Sequence, residues 1–413
     1  RFLSSLLEHA RYTYLIEFYG GYQRGNWYLV ENSNLARVAI MFPEFKESEN
    51  WLKTAINGLT KKAETEVFPD GGYMERCISY HNWCLQKFLE VSSLANANGV
   101  KLPESFSVTV AKMQRYVQAL SYPDNTRTPA FGDASYVLWW ADKKTVPQKT
   151  KNILELWDVG FDSYKKNMKD MAATPDYTST ELPYTGFYIM RTGWKPQDKY
   201  LFFDCVPSGD FWSHWHNSAF NVDIYAYGRP LIVDSGMQSY DEPSYEDYFH
   251  RSIAHNIIEI ANVEVLPVPE LKYWLRSPEF CVVDAQANIA IHGIHKMQVI
   301  RRILFVTGDY WIVDDIVEHG PMSQRSNLPV RAYWHLNSRS VVADGKQIAL
   351  AVTDKDDGSG RHYINSGKDK NLSFYTNDKN IGNLLFIPDK QEDYKSLAIM
   401  SDTPCGGYVA CYR

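Results

Sequence analysis

The densest chemistry in the chain lies at Phe211-Trp212-Ser213-His214-Trp215-His216-Asn217, where two of the eleven histidines fall two residues apart. On extended backbone, residues i and i+2 share a face, so both imidazoles would address one site. Leu231-Ile232-Val233-Asp234-Ser235-Gly236 sets a carboxylate at an expected strand end beside a glycine turn, and Arg251-Ser252-Ile253-Ala254-His255-Asn256 adds another imidazole. Histidine, aspartate and histidine with an open position make a tetrahedral zinc site. The same residues also serve as ordinary strand polarity, and both readings stand at this point.

A second concentration lies nearer the start. Gly25-Asn26-Trp27 follows a glycine-broken helix end. The run from Asp70 to Trp83 gathers a turn, Glu75, Arg76, Tyr80 and His81 ahead of a helix. Helix capping and aromatic packing account for Asp70 and Trp83. Tyr80 and His81, two polar aromatics side by side at a helix start, suit either a cleft or a satisfied buried pair.

Other chemistries are excluded by missing motifs. The chain has no G-x-x-x-x-G-K-[ST], no G-x-G-x-x-G after a strand, no H-E-x-x-H and no G-x-S-x-G. The 43 basic and 49 acidic side chains give a net charge of -6, so no bulk positive field draws in nucleic acid or a membrane surface. Aromatics make up 14%, with 28 Tyr and 12 Trp, which suits sugar stacking as well as large cores. The six cysteines are scattered and none stands in a C-x-x-C spacing. No apolar run approaches a membrane span, and the opening stretch carries Glu8, His9, Arg11 and Glu17 too early for a signal-peptide core. The chain reads as beginning inside a helix, with sequence expected upstream.

The elements that must hold these residues divide into two kinds. Up to about residue 172 apolar residues recur at spacings of three and four, as in Leu3, Leu6, Leu7, Tyr14, Leu15 and Phe18. Further helices are predicted over 28–41, 47–64, 78–98, 105–121, 133–142 and 149–171. Short breakers between them imply stacked helical hairpins. From Leu182 the period becomes two. Strands are predicted over 186–191, 200–206, 220–227, 231–234, 256–260, 297–306, 310–317, 330–336 and 347–352, reading as an antiparallel sandwich. Residues 1–180 carry 21 basic and 20 acidic side chains and the remainder 22 and 29, so the acidity belongs to the β half. Ala172 to Pro183, rich in Thr, Pro, Asp and Ser, is the expected linker.

Element order and motifs together resemble the heparinase II/III-like polysaccharide lyases, and are closest in pattern to the heparan-sulfate lyases. The matching stretches are GNWYLVENSNLARVAIMFPEF, FPDGGYMERCISYHNW, SHWHNSAFNVDIYAYGRPLIVDSGMQSY and YFHRSIAHNIIEI. They cover most of residues 20–260, and the last two are the specific ones. The resemblance implies a two-domain α+β protein, with an incomplete α/α toroid over 1–175 followed by an antiparallel β-sandwich over 183–413.

It also implies β-elimination on a uronate-containing polysaccharide, and hence glycosaminoglycan degradation. The C5 proton of a uronic acid is barely acidic beside a charged carboxylate, so something must neutralise that carboxylate. By resemblance this is Asn26, through its amide. A base and an acid must act at C5 and at the C4 oxygen, and the resemblance assigns these roles to His214 and Tyr80 respectively. The roles exchange, or Tyr80 serves both, if proton and leaving group lie on one face. These three side chains are expected around a single hexuronate ring. His216, Asp234 and His255 are expected to hold a structural zinc, with no organic cofactor. Trp27, Glu75, His81, Trp215, Tyr240 and Arg251 are expected near the sugar.

One departure is that Trp27 stands where several alginate- and heparin-acting relatives have a histidine after the asparagine. The near-neutral helical half argues for a weakly sulfated or carboxylate-only polymer. An alginate or other uronan lyase, a uronyl C5-epimerase and a non-catalytic glycan-binding protein are the rival readings. An acidic polysaccharide is the expected partner, with neither nucleic acid nor membrane, and the resemblance implies a periplasmic or secreted location.

Overall fold

The structure is a computed structural model. It describes residues 1–18, 25–125, 128–134, 178–206, 214, 216–237, 248–260, 268–291, 295–307, 310–319 and 330–336, and the strand segments 342–344, 347–349, 372–376, 381–388, 395–401 and 408–412. The chain divides into a helical unit holding Arg1–Gln118 and a sheet unit holding Ala119–Ser135 and Pro175–Arg413.

Five helices are described: α1 (Phe2–Phe18), α2 (Gly25–Met41), α3 (Ser48–Thr65), α4 (Ile78–Ala97) and α5 (Glu104–Leu120). Each buries a face set by the helical period. In α3 this is Trp51, Ala55, Ile56, Leu59 and Ala63, and in α4 it is His81, Cys84, Leu85, Phe88, Val91 and Ala95. α2 packs on α1, α3 and α4, and Leu29, Leu35, Ala36 and Ala39 join the α3 and α4 residues in one core. No helix among the described residues is long and apolar enough to cross a membrane.

The sheet unit holds two sheets. The first is built from β1 (Thr180–Leu182), β2 (Phe187–Arg191), β3 (Tyr200–Asp204), β4 (Val222–Ala226), β5 (Arg229–Ile232) and β6 (Ile258–Ile260), with β11 (Val330–Leu336), β15 (Ile381–Pro388) and β16 (Lys395–Ser401). The second uses β7 (Pro269–Arg276), β8 (Phe280–Ile291), β9 (His295–Val306), β10 (Tyr310–His319), β12 (Val342–Asp344), β13 (Gln347–Ala349), β14 (Leu372–Thr376) and β17 (Tyr408–Tyr412). The order is β1-β2-β3-β4-β5-β11-β16-β15 in the first sheet, with β6 also on β11, and β12-β13-β14-β17-β10-β9-β8-β7 in the second. Neighbours pair antiparallel, as in Phe187↔Asp204, Leu201↔Ile224 and Val283↔Ile303.

Alternate residues of each sheet meet in a single core. Tyr188, Met190, Leu201, Phe203, Val222 and Ile224 face Val283, Ala285, Val299, Ile303, Phe305 and Val313, which makes the unit an antiparallel β-sandwich. Within it Arg301 of β9 pairs with Asp315 of β10 at 2.5 and 2.6 Å and donates to the carbonyls of Phe220 and Asn256 at 2.7 and 2.6 Å. A charge buried this deeply is stable only when fully bonded, and here its bonds fasten two loops beside the histidines.

Residues 119–135 belong with the sheets, ahead of the boundary expected at 175–183. The cause is the outer face of the first sheet, where β2, β3 and β4 are buried at every position. Phe131 packs on Phe187 and Phe202 with centroids at 4.7 and 5.3 Å, and Tyr122 packs on Tyr200 and Tyr225 at 5.4 and 5.2 Å. Arg191 reinforces the cover by donating to the carbonyls of Ala119 and Ser121. The helix predicted over 133–142 has non-helical backbone at Asp133 and Ala134. Its remainder, and the helix predicted over 149–171, lie outside the described residues.

Candidate active site

In the helical unit the chemistry gathers where two helices begin. Asn26 opens α2 and is buried; its backbone N–H and Nδ2 donate to Glu75 Oε1, both at 3.1 Å, and Nδ2 also reaches Oε2 at 3.1 Å. Glu75 lies in the turn that leads into α4, so this carboxylate ties the N-terminal ends of α2 and α4 together. Behind it Glu66 accepts from the backbone N–H of Gly25 at 3.1 Å and the Tyr73 hydroxyl at 3.0 Å, and is paired with buried Lys62. Burial, the thiol of Cys84 and the two glutamates push the Tyr73 phenol far above its ordinary value. Tyr73 therefore stays protonated as a donor.

Tyr80 stands in the first turn of α4, half-buried, edge-on to Trp83 at 6.1 Å. Trp27 follows Asn26 and is 72% exposed, with its indole open to solvent. His81, expected to face sugar, does not. It is buried, its Nδ1 accepts from Tyr73 N–H at 3.2 Å and its Nε2 donates to the Met113 carbonyl at 3.1 Å. Burial pushes it down to about 4, so it is a neutral strut between the turn and α5. Glu75 is likewise buried, and it acts on Asn26 rather than presenting itself at the surface.

In the sheet unit His214 and His216 meet at one group, by a different route from the strand geometry expected. His214 has φ +63, in the left-handed region, so the pair is not extended. His214 Nδ1 lies 2.7 Å from Asp133 Oδ2, and His216 Nε2 lies 2.8 Å from Asp133 Oδ1. Burial acts to raise the Asp133 carboxyl, but the hydrogen bonds from His214 and His216 outweigh it and hold the group well below the usual carboxylate range. An ionised carboxylate only accepts, so both facing ring nitrogens carry protons. His216 is fully buried and pushed down to about 4 by that burial, so its neutral ring has the lone pair on Nδ1. The His214 side chain keeps 18% of its surface exposed, and Nε2 is its ring nitrogen remote from the carboxylate. That is the arrangement of an oriented general base.

Asp234 and His255 form a second buried pair, with His255 Nδ1 at 2.8 Å from Asp234 Oδ2 and Gly236 N–H donating to Oδ1 at 2.7 Å. Burial raises the Asp234 carboxyl, and His255 and Gly236 pull it below its ordinary value. The His255 and His216 rings lie 5.4 Å apart. His255 Nε2 is buried with no hydrogen-bond partner among the described residues, as a nitrogen awaiting a cation would be. Because Asp234 sits on the Nδ1 side of His255, it would orient that ring toward a cation on Nε2 rather than share the ion as a ligand. The donor atoms of Asp133, His216 and His250 also lie within 4.8 Å of one another.

Asp133 and His250 were not among the residues predicted from sequence. An aspartate heading an expected helix reads as a cap, and His250 sits in plain view five residues before His255 in the YFHRSIAHN stretch. Arg251 is half-buried beside the short 3-10 turn Ser252–Ala254. Trp215 and Tyr240 lie outside the described residues.

Sequence comparison matches residues 1–160 to the heparinase II/III N-terminus and residues 174–398 to the heparinase II/III-like C-terminal region. A heparin-sulfate lyase of Bacteroides stercoris is 25% identical over 348 residues, covering 81% of this chain and 49% of that protein. A heparin-sulfate lyase of Pedobacter heparinus is 26% identical over 314 residues, covering 74% and 46%. The chain thus spans about half the length of the curated relatives it matches. Among solved structures, a heparinase III superposes with TM-score 0.75 at 18% identity, over 99% of this chain and 64% of that one. Heparan sulfate lyase HepC from Pedobacter heparinus gives 0.70 at 20% identity, over 100% and 63%. At such identities the superpositions speak for the fold. With both sequence regions matched in order on a fold of helices followed by a β-sandwich, the chain belongs to the heparinase II/III family.

Proposed function

We propose that this protein is a polysaccharide lyase that cleaves a weakly sulfated, heparan-sulfate-type glycan by β-elimination. The observation that carries the reading is His214, a partly exposed imidazole whose Nδ1–H is held by a buried carboxylate. Kinship to proteins named heparin-sulfate lyase supports the substrate class. The balanced charge of residues 1–180 favours sparse sulfation.

In this reading the Asn26 amide neutralises the uronate carboxylate and stabilises the enediolate that develops as C5 loses its proton. His214 Nε2 takes that proton. The C4–O bond then breaks as the C4=C5 double bond forms, and the Tyr80 hydroxyl protonates the departing oxygen. Trp27 offers a stacking face to a sugar ring, and Arg251, Trp215 and Tyr240 are assigned to contacts with the chain. His216 and His255 would offer nitrogens to a zinc, with Asp234 orienting His255 from behind, and the ion would brace the loops beside His214. Long acidic glycans lie outside the cytoplasm, so a periplasmic or secreted location goes with this substrate.

The test needs no organic cofactor. The protein is incubated separately with heparan sulfate, hyaluronan, chondroitin and alginate while the absorbance of the unsaturated uronate is followed. The fastest rise is expected on heparan sulfate, and silence on every polymer sinks the proposal.

A further inference from the structure

We infer that Asp133 is the positioning residue for His214: its buried carboxylate fixes the tautomer and aim of the imidazole so that Nε2 is the nitrogen presented to substrate. The inference deepens the lyase reading and rests on it for the role of His214.

Three observations converge on it. The carboxylate divides its oxygens between two imidazoles, Oδ2 to His214 at 2.7 Å and Oδ1 to His216 at 2.8 Å. Each bond fixes which ring nitrogen bears hydrogen. For His214 that leaves the lone pair on Nε2, the nitrogen remote from the anchor. The backbone is held as well, because the Asp133 N–H donates to the His214 carbonyl at 3.2 Å. His214 is a non-glycine residue at φ +63, a strained conformation that persists only where its surroundings enforce it. Finally, the loop that carries Asp133 is itself fixed. Phe131 stacks on Phe202 at 5.3 Å, and the Ala134 carbonyl accepts from Met237 N–H at 2.7 Å. That carbonyl would lie 2.2 Å from a Cβ added at Gly236, which has φ +58, so the close approach admits only glycine there. A carboxylate set on so rigid a support orients a reacting ring far better than one on a mobile surface loop.

The test uses the full chain as purified, with Asp133→Asn and Asp133→Ala variants and His214→Gln for assignment. Ring nitrogen-15 spectra of histidine-labelled protein report the His214 tautomer, and kcat and KM are measured on the best polymer. We expect Nδ1–H in the wild type and Nε2–H in Asp133→Ala. We further expect kcat to fall roughly 100-fold or more in both variants with KM within about threefold. A wild-type ring protonated on Nε2, an unchanged tautomer in Asp133→Ala, or kcat within about threefold of wild type overturns the inference. The wild-type spectrum decides even if a variant does not fold. Wild-type protein that is inert on every polymer yet carries Nδ1–H removes the lyase reading and leaves the positioning in place. Active protein with Nε2–H does the reverse.

Discussion

Both oxygens of the buried Glu75 carboxylate take the side-chain amide of Asn26 at 3.1 Å, and one of them also takes the Asn26 backbone N–H. The amide assigned to the uronate is therefore held from behind by an anion. In Glu75→Ala two buried donors lose their acceptor, which costs about 1–3 kcal/mol. The urea midpoint should drop accordingly and kcat should fall by at least about tenfold as the amide loses its orientation. Unchanged denaturation and turnover would show that Glu75 does not hold Asn26.

His81 makes a prediction about pH. Its folded value of about 4 lies below the ordinary 6.5, so between these values the unfolded chain binds more protons. The stability it contributes is present above pH 6.5 and is lost as pH falls through about 4. The loss is on the order of 3 kcal/mol. In His81→Gln this component is absent, so the stability gap between wild type and variant should close as pH is lowered across that window. A gap independent of pH would exclude the buried neutral imidazole.

Trp27 tests the sugar-stacking role. With 72% of its surface exposed, Trp27→Ala should leave the melting temperature within about 1 °C, since an exposed substitution of this kind changes stability by about 0.5 kcal/mol or less. It should raise KM several-fold, as a lost stacking contact of about 1 kcal/mol requires. An unaltered KM would return the indole to mere surface.

The zinc assignment is checked by elemental analysis, which should find about one ion per chain, with a chelator lowering the melting temperature. His255→Ala should lose the metal while the His214 tautomer stays as in the wild type, because Asp133 rather than His255 holds that ring. Wild-type protein free of zinc and indifferent to chelator would refute the assignment.

Much of the frame was legible in the sequence. The helices predicted over 47–64, 78–98 and 105–121 are found at Ser48–Thr65, Ile78–Ala97 and Glu104–Leu120, because each keeps an apolar stripe at helical spacing. β7 and β8 escaped notice for opposite reasons. β7 lies at a sheet edge with Tyr273 and Leu275 exposed, so its pattern is blurred, and β8 is built partly from small and polar residues such as Ala285, Gln286, Ala287 and Asn288. In the site, His214 and His216 were found by their proximity in sequence. Asp133 lies 81 positions before His214, and no local pattern links residues that meet only through the cover on the first sheet. The burial of His81 was hidden for a related reason, since its acceptor is a backbone carbonyl on another helix.

That cover bears on how the protein can be taken apart. Residues 119–135 come early in the chain yet serve the sheets. A fragment started at the Thr- and Pro-rich stretch near residue 175 would leave Phe187 and Phe202 without their aromatic lid, deprive Arg191 of two carbonyls, and release both histidines from their shared anchor. The sandwich is thus no portable module. A graft onto another helical partner would have to bring this strap along.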